Sequence, residues 1–371
     1  MADERPRRPA AQPDARGDPA RGRPGRAEPS CPADAGQLRP LHGRAEEQGP
    51  VRVPRPRVLR ADHRGRLLRG AQREAVGLMS VVITEPGVYY DLDEADYHAQ
   101  HDWLSWSRMK HLLPPSTPAH FKASLKAGEK RKRHFDLGKV VHRLILGEGS
   151  DFEVVQALNR QREPYDATSY DLVSAQAHRD RIYEAGKVPI LRHELDAAEA
   201  MAASVQQHRL ASALLSDGRP EVSLFWIDHE TGVKCRARLD WLPNPDVGPR
   251  RLIVPDVKTA ADGSGLAFGK AAASFGYFGQ WTHYLDGIRA LGINGDPAFV
   301  FVIVEKDDPH LVNVGQFAKS DDVAQARRAV DHCRRLYADC LAADRWPGYG
   351  EDVNDFELPA WWHYQMEALL P

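Results

Sequence analysis

Apolar and polar positions alternate most regularly between Val233 and Thr259, and the rest of the chain can be laid out around that stretch. Lys234, Arg236, Arg238 and Asp240 fall on one parity, and Cys235, Ala237, Leu239 and Trp241 on the other. That is the period of a strand with two distinct faces. A Pro/Asn/Gly-rich loop follows, and then a second strand in which Asp256 and Lys258, two residues apart, share a face. If these strands pair with each other, two carboxylates and a lysine meet at the edge of one sheet. Upstream, Pro220–Asp228 reads as a strand with Glu221 at its start, and Glu230-Thr231-Gly232 makes the turn into the central pair. Downstream, Ala298–Glu305 is apolar almost throughout, the mark of a buried central strand, and Leu311–Phe317 is a further strand.

Helical spacing marks much of the remainder. Residues 81 to about 127 read as a short strand, a turn and helices. Ser105 or Ser107 caps a helix through Met109, Leu112 and Leu113 that Pro114-Pro115 stops, and a second helix spans Pro118–Ala127. Phe135–Leu146 is an apolar helix carrying His142, which taken alone is a core histidine satisfied by a neighbour. Residues 151–215 are expected to be mostly helical and to serve packing. A Gly-rich loop then leads to a helix over Tyr277–Leu291, where Gln280 and Tyr284 stand at i and i+4. Ser320 is the expected cap of a long helix with Asp321 and Asp322 in its first turn. The aromatic and proline-rich tail, Trp346–Pro371, is expected to pack back on the body. This order predicts one α/β domain, a mixed β-sheet flanked by helices.

Composition changes the picture at one end. The chain has 371 residues with a formal net charge of -2, 42% hydrophobic and 27% charged, enough for one large domain with an ample core. Residues 1–78 are crowded with Arg, Pro, Ala and Gly, hold no lysine and show no sustained apolar period. Such a stretch buries too little apolar surface to offset its ordering entropy, so a disordered tail is expected there. Two readings stand: a basic arm for nucleic acid, or translated sequence upstream of a true start at Met79, which is the favoured one. That leaves 79–371 as a single domain with its core at about 135–317. The four cysteines form no CxxC pair and no zinc spacing. No run has membrane-spanning length and the N-terminus has no signal-peptide core, which points to a cytoplasmic protein. Near-neutral charge does not advertise nucleic-acid binding, so local basic patches must carry it. The one in view is Lys126 with Lys130, Arg131, Lys132 and Arg133, just before the His142 helix.

Asp240 and Asp256 beside Lys258 suit a Mg²⁺ or Mn²⁺ site at which a phosphodiester is hydrolysed. At this point a family resemblance enters. His142 on a helix, Glu221 on a first strand, Asp240 on a second, Asp256-Val257-Lys258 on a third and Gln280-x-x-x-Tyr284 on a helix follow the order of the PD-(D/E)XK nuclease superfamily. Pro255-Asp256 supplies the PD letters, although in the superfamily's RecB and lambda-exonuclease branch the first aspartate corresponds to Asp240. Within that branch the chain most resembles the exodeoxyribonuclease VIII (RecE) catalytic domain. The segments that carry this are YHAQHDWLSWSRMKHLL, LGKVVHRLILGE, GVKCRARLDWL, VPDVKTA and GYFGQWTHYLDG.

The resemblance implies that Asp240, Asp256, His142 and the backbone carbonyl of Val257 hold Mg²⁺ or Mn²⁺. Lys258 is then expected to orient and help deprotonate the attacking water or to stabilise transition-state charge. Glu221 holds metal-bound water or a second metal, and Gln280 and Tyr284 position the strand or the lysine. It further implies 5′-to-3′ degradation of one strand from the ends of linear double-stranded DNA. The 3′ single strands left behind serve recombination through a RecT-type annealing protein, and the enzyme forms a ring-shaped homo-oligomer; host or prophage origin stays open. The alternatives are another nuclease on the same core, of Cas4, repair or restriction type, or a catalytically silent nucleic-acid-binding module. Cas4 enzymes hold an Fe–S cluster on four cysteines, and Cys31, Cys235, Cys333 and Cys340 offer no such set. A silent module would have lost an acidic ligand or the lysine, and all are present.

Overall fold

The structure, a computed structural model, describes residues 81–126, 135–244 and 251–370. The chain divides into two units, Met1–Val53 and Pro54–Pro371, and every described residue belongs to the second. The expectations for residues 1–78 and for Lys130, Arg131, Lys132 and Arg133 lie outside the described residues.

The chain enters through β1 (Gly87–Tyr89), α1 (Glu94–Ala99), β2 (Leu104–Ser105), α2 (Trp106–Met109), α3 (Pro118–Lys126) and α4 (Asp136–Leu146). Ser105 stands at the N-cap of α2, but its hydroxyl meets that of Ser107 at 2.9 Å and caps no backbone N–H. Residues 152–214 form β3 (Phe152–Val154), β4 (Gln156–Leu158), β5 (Pro164–Asp166), α5 (Val173–Glu184), β6 (Val188–Ile190), α6 (Arg192–Gln207) and α7 (Arg209–Leu214). The expected mostly helical region therefore also holds four strands. At three residues each they are too short to impose a period on the sequence.

The strands that matter for the site are β7 (Gly218–Ile227), β8 (Lys234–Pro243) and β9 (Ile253–Ala260). After β9 come α8 (Gly265–Phe275), α9 (Tyr277–Ala290), β10 (Ala298–Glu305), β11 (Val312–Gly315), α10 (Ser320–Ala343) and α11 (Ala360–Leu369). The expected Gly-rich loop is in fact α8, whose two glycines and alanine run hide an amphipathic period; Ser264 caps it. Ser320 is the first residue of α10, and Lys319 takes the cap position without a side-chain bond. Asp321 and Asp322 do occupy the first turn.

The expected hairpin is not formed. β8 belongs to a four-stranded sheet in the order β1-β7-β8-β2, and β9 to a three-stranded sheet in the order β11-β10-β9. β9 runs parallel to β10, aligning Asp256 with Phe301 and Lys258 with Ile303. β8 is antiparallel to β7 and takes β2 as a parallel neighbour at Cys235 and Arg236. Near the end of β8, the Asp240 carboxylate accepts the Val257 N–H at 2.7 Å, taking the place a main-chain carbonyl would have in a ladder. The two sheets thus meet at a seam bridged by a side chain.

Helices cover both faces. On one, Val140 and Val141 of α4 and Leu195, Ala198 and Met201 of α6 pack with Val257, Val302 and Val304. On the other, Trp106, Met109, Leu285, Ile288, Val330 and Cys333 pack over Leu224, Ala237, Phe299 and Phe301. Alternation along β9 therefore sends Val257 toward α4, and Asp256 and Lys258 toward α9. Cys235, Cys333 and Cys340 are free thiols in this interior. Only the first part of the C-terminal tail packs back. Trp346 stacks on Phe121 with ring centroids 5.5 Å apart, whereas α11 has no buried residue. Glu351, Asp352, Asp355 and Glu357 in the connecting segment are all exposed and favour water. Among the described residues no helix is long and apolar enough to cross a membrane.

Candidate active site at the seam of two sheets

Four elements bring polar side chains to the seam, and in each the local sequence explains why. Strand parity puts Arg236, Arg238 and Asp240 on the face of β8 opposite Cys235, Ala237 and Leu239, which enter the core. Arg236 lies over the Tyr97 ring and donates to the Tyr97 carbonyl. Arg238 donates to the Leu92 carbonyl at 2.6 Å and, through Nε, to Glu221 Oε2 at 2.7 Å. Glu221 stands opposite Asp240 between the paired positions Pro220–Trp241 and Val222–Leu239. Its φ is 52°, a left-handed conformation uncommon for a non-glycine residue and one that needs support from its surroundings. The Arg238 ion pair holds the side chain in place.

Asp256 is almost wholly buried, and both its oxygens are engaged. Oδ2 pairs with the Lys258 ammonium, and Oδ1 accepts from Gln280 Nε2 at 2.7 Å. Tyr284 stands one turn after Gln280 on α9, and burial, then the charges of Tyr97, Asp256 and Asp240, hold its hydroxyl well above the ordinary tyrosine value. Tyr284 serves the core as well, with its ring edge-on to Phe299 at 5.9 Å. Lys258 Nζ lies 3.5 Å from the Val257 carbonyl and 5.2 Å from the centre of the Tyr277 ring. From the opposite layer, α4 delivers His142, whose Nδ1 is 3.6 Å from Asp240 Oδ2. Every described residue predicted for the site thus lies at the seam.

The charges there are strongly coupled. Burial, then the neighbouring Asp240, pushes Asp256 up to about 6 against the opposing pull of Lys258. Burial likewise raises Asp240, against Lys258 and the Val257 N–H. Burial and Asp240 push Glu221 up to about 7, with Arg238 opposing. For Lys258, burial acts downward, but Asp256 and Asp240 outweigh it and hold the ammonium above its ordinary value. Burial, then Lys258, pushes His142 down to about 4, so it is a neutral imidazole at neutral pH.

Among the described residues, no group of three or more His, Cys, Asp or Glu side chains is gathered tightly enough to hold a metal ion. The donors nonetheless fit a divalent cation in kind. Two carboxylates, a neutral imidazole and a main-chain carbonyl are ligands that Mg²⁺ or Mn²⁺ accepts. The carboxylates, both raised by burial and Asp256 also by its neighbour Asp240, gain from any added positive charge.

Two contributors went unassigned in the sequence. Tyr277 lies three residues before Gln280, so the helical face 277, 280, 284 was there to be seen. Arg238 shares a strand face with Asp240, but only the fold shows that it holds Glu221. A further support is Glu94 on α1, which accepts from Lys139 of α4 at 2.8 Å and from Ser150. Nothing in the sequence links these three. Away from the seam, Glu230 pairs with exposed Arg335 at 3.3 Å, and Glu305 accepts the Gly263 N–H at 2.7 Å.

Residues 105–359 match the family described as a PDDEXK-like domain of unknown function (DUF3799). None of the curated proteins matches the chain. Among solved structures, the chain is similar to a crystal structure of a candidate exonuclease from Eubacterium rectale. The identity is 14% and the TM-score 0.45, over 72% of this chain and 97% of that one. With well over half its length inside the family match, and with a mixed α/β fold carrying acid–acid–lysine chemistry at the strand ends, the chain belongs to the PDDEXK-like family.

Proposed function

We propose that this chain is a divalent-cation-dependent nuclease, and specifically an exonuclease that degrades one strand of linear double-stranded DNA from its 5′ end. The observation that carries the reading is the meeting of Asp240, Asp256, Lys258 and His142 at one seam of a PDDEXK-like domain. Mg²⁺ or Mn²⁺ held by His142, Asp240, Asp256 and the Val257 carbonyl would supply Lewis-acid polarisation of a phosphoryl oxygen and a more acidic water.

The chain's own residues do the rest. Lys258, kept protonated by its aspartates, offers a cation to the phosphoryl oxygens as negative charge builds on them. Gln280 fixes the Asp256 carboxylate by donating to Oδ1, and Tyr284 is the proposed support one turn further along α9. Glu221, with its carboxyl group near 7, takes up or returns a proton beside Asp240. The finer parts of the proposal rest on the motif order alone. These are 5′-to-3′ polarity, 3′ single-stranded products for recombination, a RecT-type annealing partner and a ring-shaped oligomer. The basic cluster Lys130–Arg133 is its proposed contact to the DNA backbone.

Digestion of linear duplexes labelled at either the 5′ or the 3′ end, and of covalently closed duplexes labelled internally, all supplied with Mg²⁺, tests the proposal. Consumption of linear DNA alone, with early release of the 5′ label, is the expected result. Cutting of closed circles retires the exonuclease reading while keeping a nuclease. No hydrolysis of any DNA retires both in favour of a binding module.

A further inference from the structure

We infer that the exposed ring of Phe275, mounted on Tyr277 beside Lys258, is a stacking platform for a DNA base next to the phosphate that is cut. The inference rests on the nuclease reading and adds a substrate contact to the same site. Three observations meet there.

The first is a file of aromatic rings running from the core to the surface. Phe301 contacts Phe268 at 5.1 Å, Phe268 stacks on Tyr277 at 5.8 Å with planes 22° apart, and Tyr277 contacts Phe275 at 5.8 Å. The file does not stop at the core boundary: Phe275 is 58% exposed. Second, the file passes the chemistry, because the Tyr277 ring that supports Phe275 also lies under the Lys258 ammonium. Phe275 is thus one ring contact removed from the group proposed to meet the phosphoryl oxygens.

Third, the segment is held rigidly. Lys110 Nζ donates to the Phe275 carbonyl at 3.0 Å, and Trp106 Nε1 donates to the Gly276 carbonyl at 2.6 Å. Gly276 itself, at φ 79°, ends α8 and starts α9 in the left-handed conformation. A ring fixed in advance loses little freedom when a ligand covers it. Ala273 and Ser274, both small and exposed, precede it on α8.

An exposed aromatic ring flanked by ammonium groups is the arrangement that receives single-stranded nucleic acid: the ring takes the base and the cations attract the backbone. Any base presents a π-face, so such a contact favours an unpaired end without reading its sequence. Lys110, which donates to the Phe275 carbonyl, provides a cation beside the ring, and Lys258, paired with Asp256, lies across the supporting Tyr277 ring.

The test uses the full chain, its Phe275→Ala and Phe275→Trp variants, and a linear duplex with a short single-stranded end carrying 2-aminopurine. Binding is followed with chelator present, from the quenching of the probe on stacking, and hydrolysis with Mg²⁺. Phe275→Ala is expected to lose the quenching and to raise KM about tenfold with kcat retained, and Phe275→Trp to restore both. If the wild type cuts DNA while Phe275→Ala matches it in quenching and KM, the platform falls and the nuclease stands. If quenching depends on Phe275 but no DNA is cut, the platform stands and hydrolysis falls. A wild type that neither quenches nor cuts overturns both.

Discussion

His283 shows how far one side chain can be fixed by its partners. Arg334 Nη2 donates to its Nδ1 at 2.9 Å, which makes Nδ1 the acceptor and leaves Nε2–H to donate to the Arg236 carbonyl at 3.1 Å. The Trp226 ring closes one side at 4.7 Å. Burial, then the facing Arg334, pushes the imidazole down to about 3, although Asp286 and the Arg236 carbonyl pull the other way. The consequence for pH follows directly. The unfolded chain binds a proton on this histidine near its ordinary 6.5, while the folded chain stays neutral until about 3. Stability from this group is therefore complete above about 6.5 and is lost as pH falls toward 3. In thermal melts between pH 7 and 4, the His283→Gln variant is expected to lose less of its Tm than the wild type does. An identical fall in both would contradict this account of the site. The same lesson separates what sequence reveals at this scale. Asp240, Asp256 and Lys258 are legible because strand parity fixes their faces. The roles of Arg238 and Glu94 depend on partners 17 and 45 or more positions away, which no local pattern encodes.

At the scale of elements, the position of α9 decides whether Gln280 reaches Asp256. Trp106 is the stop that sets it: a Cβ built on Gly279 would lie 2.0 Å from the indole ring. Glycine is needed there so that α2 and α9 can approach, and no small shift relieves a contact with a rigid buried ring. Gly279→Ala is thus expected to cost about 1–3 kcal/mol, the range for an overpacked core. Urea unfolding would show it as a lower midpoint at unchanged slope, and a midpoint equal to wild type would contradict the close approach. α10 ties down the other end of α9: Arg327 meets Asp286 through two bonds of 2.6 Å, and Arg334 bridges Asp286 and Asp228. Long apolar or alternating runs such as β10 and β8 could be read from the sequence with little error. The separation of β8 from β9 could not, because two strands joined by a loop suggest a hairpin, and only the sheet orders place β8 with β7 and β2 and β9 with β10. α8 escaped for a compositional reason, since glycine and alanine blur the contrast that a helical period needs.

The seam between two sheets is what the whole molecule builds. The α4 and α6 layer brings His142, the α9 layer brings Gln280, Tyr284 and Tyr277, and the ends of β8 and β9 bring the carboxylates and the lysine. No single element carries the site, which explains why seven scattered side chains in order could suggest it while no one motif does. β9 is the last strand of its sheet and β8 takes β2 as a neighbour only at Cys235 and Arg236, so the Asp240–Val257 bond spans the gap between them. A substrate phosphate bound there would meet Lys258 and the two aspartates together. On the proposed function, this seam hydrolyses phosphodiesters with the help of a divalent cation. The most direct measurement is the initial rate on a linear duplex, with Mg²⁺ and with chelator, for the wild type and Lys258→Ala, with circular dichroism checking that both are folded. The account predicts that chelator abolishes the wild-type rate and that Lys258→Ala lowers it roughly 10²–10³-fold. A Lys258→Ala rate equal to wild type, or hydrolysis that persists in chelator, would contradict it.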